Sequence, residues 1–402
     1  MAERFAVNRR HLLAGGAAAL AAGAALTQCG AARSATAPTG FGSSVEPFHG
    51  PHQAGVATAP QAHALFLALD LRSDGSRSPR DALAAVLRLW TADAARLTQG
   101  RPALADTEPE LAEQPARLTV TVGLGPTAFD RTGLGRLRPP TATEPPAFRT
   151  DRLDPRFCGG DLLLQICADD PVAVSHASRV LLKNVRAMAT QRWRQRGFRN
   201  AHGADASGGT MRNLMGQLDG TANLHDQAAF DRLVWDGGEA QRWFAGGTVL
   251  VLRRVRAEMD TWDELDRNSK ELVVGRRLDT GAPLTGRHET DEPDLTATAG
   301  GIPVIPPNSH VALARHRNDG EQFLRRPYNY DDPPPADRTT DSGLLFAAYQ
   351  RDPATQFVPV QQRLAEGDAL NEWTTTVGSA TFAVLPGIAE GEYLGQELLE
   401  SR

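Results

Sequence analysis

The chain carries one structural plan twice, and that repetition limits what it can fold into. The segment from Asp161 to Pro171 matches the segment from Gly343 to Pro353 in pattern. Each is an apolar run closed by Asp-Pro, at Asp170-Pro171 and at Asp352-Pro353. An apolar run of that length reads as a strand, and Asp as N-cap with Pro at the first helical position then starts a helix. Other elements line up across the halves. His63 to Leu71 is an apolar strand, and Gly247 to Arg256 is its counterpart. Ser78-Pro79 opens a helix after the first, with Leu83, Val86, Trp90 and Leu97 near helical spacing. Thr261-Trp262-Asp263-Glu264 reads as a capping box opening another after the second. Strand, helix, strand, strand, helix, strand is the ferredoxin-like split βαβ unit. The sequence therefore predicts an α+β fold of two such modules with antiparallel sheets. They span residues 38–225 and 226–402.

A chain of 402 residues suffices for two to three domains at ~150 residues each, with room for a large cofactor. A net charge of −5 argues against a nucleic-acid binder, which would be basic. Segments 126–158 and 276–305 are rich in Pro, Gly and Thr and read as long loops at the edges of a pocket.

Residues 1–37 read as a Tat-type signal peptide. Asn8-Arg9-Arg10-His11-Leu12-Leu13 is a twin-arginine pattern, and the uncharged run from Leu12 to Leu26 is too short and Gly-rich for a membrane span. The expected partner is the Tat export machinery. The expected location is periplasmic, extracellular or cell-surface, with no integral span in the mature chain. Cys29 follows Leu26-Thr27-Gln28, which resembles a lipoprotein box with Gln where a small residue is usual. A lipid anchor at Cys29 and cleavage after Ala35 or Ala37 are the alternatives.

Three further segments carry the chemistry. Gly216-Gln217-Leu218-Asp219-Gly220 lies between Arg212-Asn213-Leu214-Met215 and Thr221-Ala222-Asn223. Ser309-His310 and Leu324-Arg325-Arg326-Pro327-Tyr328 follow. A Gly-flanked Asp alone is usually a turn. A carboxylate between glycines, one His and one Arg together form a peroxide-cleaving set. The chain resembles the dye-decolourising (DyP-type) haem peroxidase family, whose signature is GxxDG with a downstream His and Arg. The stretches Phe48 to Gly55, Leu118 to Gly125, Gly160 to Cys167 and Gly343 to Gln350 extend the resemblance over residues 48–395. The exported N-terminus places it nearest the bacterial Tat-exported branch.

The resemblance implies non-covalent haem b, held mainly by the C-terminal module, with His310 as the axial iron ligand at the start of an expected strand from Ser309 to Ala314. His316 is the near rival and reads as a polar loop residue. The ligand's second ring nitrogen needs a carboxylate or carbonyl. Asp352 is the candidate, with helix N-cap as its other reading. Asp219 is the distal acid–base group, moving a proton from the oxygen that binds iron to the one that leaves. An ordinary Asp titrates near about 3.9, which implies an acidic optimum. Gly216 and Gly220 allow the backbone close to the porphyrin. Arg325 stabilises developing charge, while Arg326 is expected to face solvent or a propionate. Arg212 and Asn223 are haem contacts or loop anchors. Phe346 packs on the porphyrin or in the core. Tyr328, Tyr349 and Trp373 are relay candidates or plain core.

The implied reaction reduces hydrogen peroxide and, through a ferryl intermediate, oxidises dyes, phenols or other one-electron donors. A homo-oligomer is implied too. No Cys-x-x-Cys-His occurs, so the haem is not expected to be covalent. Cys158 and Cys167 could pair in an oxidising compartment, but the apolar strand around Cys167 favours a buried free thiol. The alternative function is exported haem handling with iron release (deferrochelatase-like) from the same pocket. A purely haem-binding module would not need Asp219 and Arg325, and a chlorite dismutase lacks GxxDG.

Overall fold

The first strand, His63–Leu71, is the apolar run seen in the sequence, and the rest of the first half follows the same plan. It comprises β1 (His63–Leu71), α1 (Pro79–Leu97), β2 (Thr119–Leu124), β3 (Leu162–Ala168), α2 (Pro171–Val185) and β4 (Ala189–Phe198). This computed structural model describes residues 40–401 apart from 73–76, 205–208 and 240. The twin-arginine segment and Cys29 lie outside the described residues. The second half comprises β5 (Thr248–Ala257), α3 (Arg267–Val274), α4 (His310–Ala314), β6 (Tyr328–Asp332), β7 (Asp341–Gln350), α5 (Phe357–Gly367) and β8 (Thr374–Val384). Leu324–Arg325 adds a two-residue strand beside β7.

Strand order repeats as the sequence does. The first half runs β2-β3-β1-β4 and the second β6-β7-β5-β8, all antiparallel. The two sheets then close on each other. Phe198 of β4 pairs with Asn329 of β6. Ala383 and Val384 of β8 pair with Leu124 and Gly123 of β2. The result is a ring with no open sheet edge at either joint. Its interior holds Phe66, Cys167, Trp193, Tyr328, Tyr349 and Phe382.

The outer faces differ, and the difference makes the site. Over the first half, α1 and α2 bury Leu83, Val86, Trp90, Leu97 and Leu181 in a continuous core. Over the second half the buried cluster is small: Phe148, Val251, Ala348, Phe357 and Ala365. Phe323, Phe346 and Val358 are only partly covered there. None of the five residues of α4 is buried, although Val311, Ala312, Leu313 and Ala314 are apolar. Apolar side chains are left partly uncovered there, where the first half has a packed core.

Local start signals held in part. Ser78 accepts from Asp81 N and caps α1, and Asp170 accepts from Val172 N and caps α2. The Asp352-Pro353 repeat does not start a helix directly. Asp352 closes a turn, accepting from Ala354 N and Thr355 Oγ1 at 3.0 Å each, and α5 begins at Phe357. The box at Thr261 yields only one helical turn, Met259–Trp262, while Asp266 caps α3 by accepting from Ser269 N. Ser309 to Ala314 is not a strand: Ser309 is the N-cap of α4 and His310 its first residue.

Candidate active site

Asp219 ends a small hairpin. Arg212 and Leu218 form an isolated antiparallel bridge, and Asp219 N donates to Met211 O at 2.8 Å. The turn needs glycine, because Gly216 has φ +96 and Gly220 has φ +139. The Asp219 carboxylate accepts from Arg325 Nη1 at 3.0 Å, with both side chains mostly covered. Asn223 orders Arg325 through its backbone: Oδ1 accepts from Arg325 N at 2.9 Å and Nδ2 donates to Arg325 O at 2.7 Å. Arg212 works as an anchor, with Nη1 donating to Gly216 O and Leu278 O and Nη2 to Asp279 O.

His310 stands on the first turn of α4. Its Nδ1 lies 2.6 Å from Asp368 Oδ2, and the Asp368 side chain is 4% exposed. A carboxylate accepts only, so Nδ1 carries the proton and Nε2 presents a lone pair. Nε2 has no hydrogen-bond partner among the described residues. Burial disfavours the imidazolium, but the Asp368 carboxylate outweighs it and the net shift is upward. Asp219 raises and Arg325 lowers the same ring, so the imidazole and the distal pair share one electrostatic space. The carboxylate partner is therefore Asp368 and not Asp352, which is engaged in its own turn.

Arg326 also differs from expectation. Its neighbour Arg325 faces Asp219, so alternation along the chain sends Arg326 to the other side, into the ring interior. It is 1% exposed and donates to Thr58 O and Gln61 Oε1. Tyr328 and Tyr349 are buried there too, Tyr349 donating to Gln165 Oε1, and burial pushes both phenols up. Phe346 is half-buried, edge-on to Phe323 with centroids 6.3 Å apart. Trp373 meets Trp262 edge-on at 5.5 Å, and Trp262 Nε1 donates to Met215 O in the Asp219 hairpin at 3.1 Å. Trp262 was visible in sequence only as part of a helix start. Asn371 and Thr374, either side of Trp373 in the chain, line a surface cleft of about 280 Å³ with Arg149, Thr150, Arg152 and Thr375. Cys158 is a half-buried free thiol and Cys167 a buried one; burial pushes both up.

These residues fit haem. An imidazole with a carboxylate on Nδ1 and an Nε2 unpartnered among the described residues stands on α4, in the half whose apolar side chains, Phe346 among them, are incompletely covered. A planar apolar ring would cover Phe346 and α4, and its iron would meet a neutral nitrogen donor.

Comparison with known proteins agrees. Residues 53–199 match the family model described as Dyp-type peroxidase, N-terminal, and residues 210–389 match Dyp-type peroxidase, C-terminal. The dye-decolorizing peroxidase of Thermobifida fusca (strain YX) is 44% identical over 360 residues, covering 87% of this chain and 84% of that protein. The deferrochelatase of Yersinia pestis is 36% identical over 375 residues, covering 89% and 85%. The crystal structure of a DyP-type peroxidase from Cellulomonas bogoriensis superposes with a TM-score of 0.87 at 52% identity, covering 90% of this chain and 99% of that one. The protein is a haem peroxidase of two-module α+β architecture. It belongs to the Dyp-type peroxidase family.

Proposed function

We propose that the protein is an exported peroxidase that reduces hydrogen peroxide on one side of a haem held by His310. The observation that carries this reading is the pairing of Asp219 with Arg325 in the electrostatic space of an Asp368-bound imidazole. When bound, haem supplies a redox-active iron and stores the oxidising equivalents. Asp368 accepts a hydrogen bond from His310 Nδ1, sets its tautomer and makes Nε2 more electron-rich. The Asp219 carboxylate takes a proton from peroxide and returns it to the departing oxygen, so that water leaves. Arg325 holds that carboxylate in place and stabilises negative charge on the departing oxygen. Asn223 keeps the Arg325 backbone in register.

The electron donors are dyes, phenols or other one-electron reductants. Trp373 is the favoured relay for bulky ones, because it packs on Trp262, which bonds to the Asp219 hairpin, and its chain neighbours Asn371 and Thr374 line the Arg149–Arg152 cleft. Tyr328 is disfavoured: it is buried, and its hydroxyl has no hydrogen-bond partner to take a proton among the described residues. Tyr349 faces a neutral amide and is disfavoured likewise. Export by the Tat route rests on the Arg9-Arg10 pattern. No helix among the described residues is long and apolar enough to cross a membrane. Fractionation of cells expressing wild-type and Arg9→Lys/Arg10→Lys chains tests export; retention of wild type in the cytoplasm would sink it.

The central test is an absorption spectrum of haem-loaded protein before and after one equivalent of peroxide. His310→Ala is expected to lose axial ligation. Asp219→Ala should keep ligation and react about 10²–10⁴-fold more slowly. If peroxide only bleaches the haem, or metal-free porphyrin accumulates, the haem-handling reading replaces this one. The similarity to deferrochelatases favours keeping that reading in the test. If no haem binds, the site assignment fails.

A further inference from the structure

We infer that Glu289 is a positioning residue for Asp219, acting as a clasp between the long loop over residues 276–289 and the hairpin that carries Asp219. The inference rests on the reading of Asp219 as the group that handles the peroxide proton.

The hairpin is held unevenly. On its N-terminal side, Asp219 N donates to Met211 O, Asn213 N to Gln217 O and Gly216 N to Asn213 O. On its C-terminal side comes Gly220, with φ +139 and no Cβ to restrict it. Backbone freedom at such a residue would blur the position of the adjacent carboxylate. Restraint there comes from Glu289. Its Oε1 accepts from Thr221 Oγ1 at 2.7 Å and from Thr210 Oγ1. Those two threonines bracket Asp219 in the chain, so one oxygen closes both ends of the hairpin.

Glu289 is itself anchored. Arg276 Nη1 donates to Glu289 O at 2.8 Å and to Gly281 O at 2.7 Å. The same loop supplies the Leu278 and Asp279 carbonyls that receive Arg212. It also lies directly on the hairpin: a Cβ at Gly281 would stand 2.6 Å from Leu218 Cδ1. The loop is thus a strap over the residue preceding Asp219, and Glu289 is the one side-chain carboxylate on it bonded to both hairpin hydroxyls.

A clasp of this kind needs an acceptor oxygen, not a charge. Glu289→Gln keeps the oxygen and Glu289→Ala removes it. Haem affinity, the rate of reaction with peroxide, and hydrogen exchange of the haem-free protein are to be measured for both. Glu289→Ala is expected to keep haem, to react with peroxide about 10–100-fold more slowly, and to exchange faster across residues 210–223. Glu289→Gln should resemble wild type in all three. Thr221→Val should shift rate and exchange in the same direction as Glu289→Ala, and the double variant should be no slower than Glu289→Ala alone. It also carries the test if Glu289→Ala does not fold. A wild-type rate in Glu289→Ala or Thr221→Val overturns the clasp, as does a Glu289→Gln as damaged as Glu289→Ala. Asp219→Ala separates the two levels. If it is slow while the clasp variants are not, only the clasp fails; if it reacts at the wild-type rate, the proton-handling reading fails and takes the clasp with it.

Discussion

Asp368 makes two bonds with different consequences. Its Oδ1 accepts from Leu370 N at 2.9 Å and starts a short helical turn, while Oδ2 accepts from His310 Nδ1 at 2.6 Å. Asn at this position keeps an acceptor for the cap but withdraws the negative charge from the ring. Asp368→Asn is therefore expected to lower haem affinity or peroxide reactivity by about 10–100-fold and to raise the ferric–ferrous midpoint potential. Asp352→Asn should leave both unchanged, since Asp352 serves its own turn. Haem titration and spectroelectrochemistry check this; equal effects from the two variants would return Asp352 to consideration. The pair also shows what a sequence can reveal about a site. Asp219, Arg325 and His310 sit in short segments whose chemistry is local, and Asp219 and Arg325 are bonded to each other. Asp368 lies 58 residues from its histidine, between Gly367 and Ala369, with nothing nearby to mark it. Arg326 misled for a related reason: a charged side chain defaults to the surface, and only the ring interior turns it inward.

At the scale of elements, legibility followed length. Helix α1 repeats its apolar positions over five turns, and Leu83, Val86, Trp90 and Leu97 are all buried. Helix α4 has five residues, too few to show a period, and its run of Val311, Ala312, Leu313 and Ala314 reads equally well as a strand. The packing of α1 on α2 also contains a polar contact that pH should expose. Trp90 Nε1 donates to Leu181 O at 3.1 Å, and Asn184 Nδ2 donates to Asp93 Oδ2 at 2.7 Å. Asp93 is 6% exposed, and burial raises its pKa; the nearby Asp106 adds to the rise, and the Asn184 bond only partly offsets it. A carboxyl raised on folding binds more protons in the native state. Its contribution is full below the unfolded value of about 3.9 and is lost as pH climbs through the folded one. Asp93→Asn removes that loss while keeping an oxygen for Asn184. The variant should be more stable than wild type by roughly 0.5–2 kcal/mol at neutral pH, with the gain shrinking toward pH 4. Thermal melting across that range decides it, and a gain that grows on acidification would show the sign to be wrong.

Across the whole molecule, the internal repeat announced two modules but not the ring they form. Closure depends on one residue pair at one joint, Phe198 with Asn329, and two at the other, Ala383 with Leu124 and Val384 with Gly123. Pairings that sparse leave no pattern in a single sequence. Each joint nevertheless has a glycine where the strands meet. A Cβ at Gly123 would stand 3.1 Å from Phe382 Cβ, and one at Gly197 would stand 2.5 Å from Tyr328 Cβ. The second contact is with the root of a fully buried ring, which cannot swing aside as a flexible chain end could. Because β4 and β6 share the interior around Tyr328, strain there is felt by both modules. The haem-free protein should then melt in a single transition, and Gly197→Ala should lower its stability by about 1–3 kcal/mol without splitting it. Gly135→Ala is the control, since its added Cβ would meet only Asp130 Oδ1 at 3.4 Å. Calorimetry reads both features at once. Two separate transitions in wild type would mean the joints do not couple the modules, and a Gly197→Ala melt matching Gly135→Ala would mean the joint yields more easily than its packing implies.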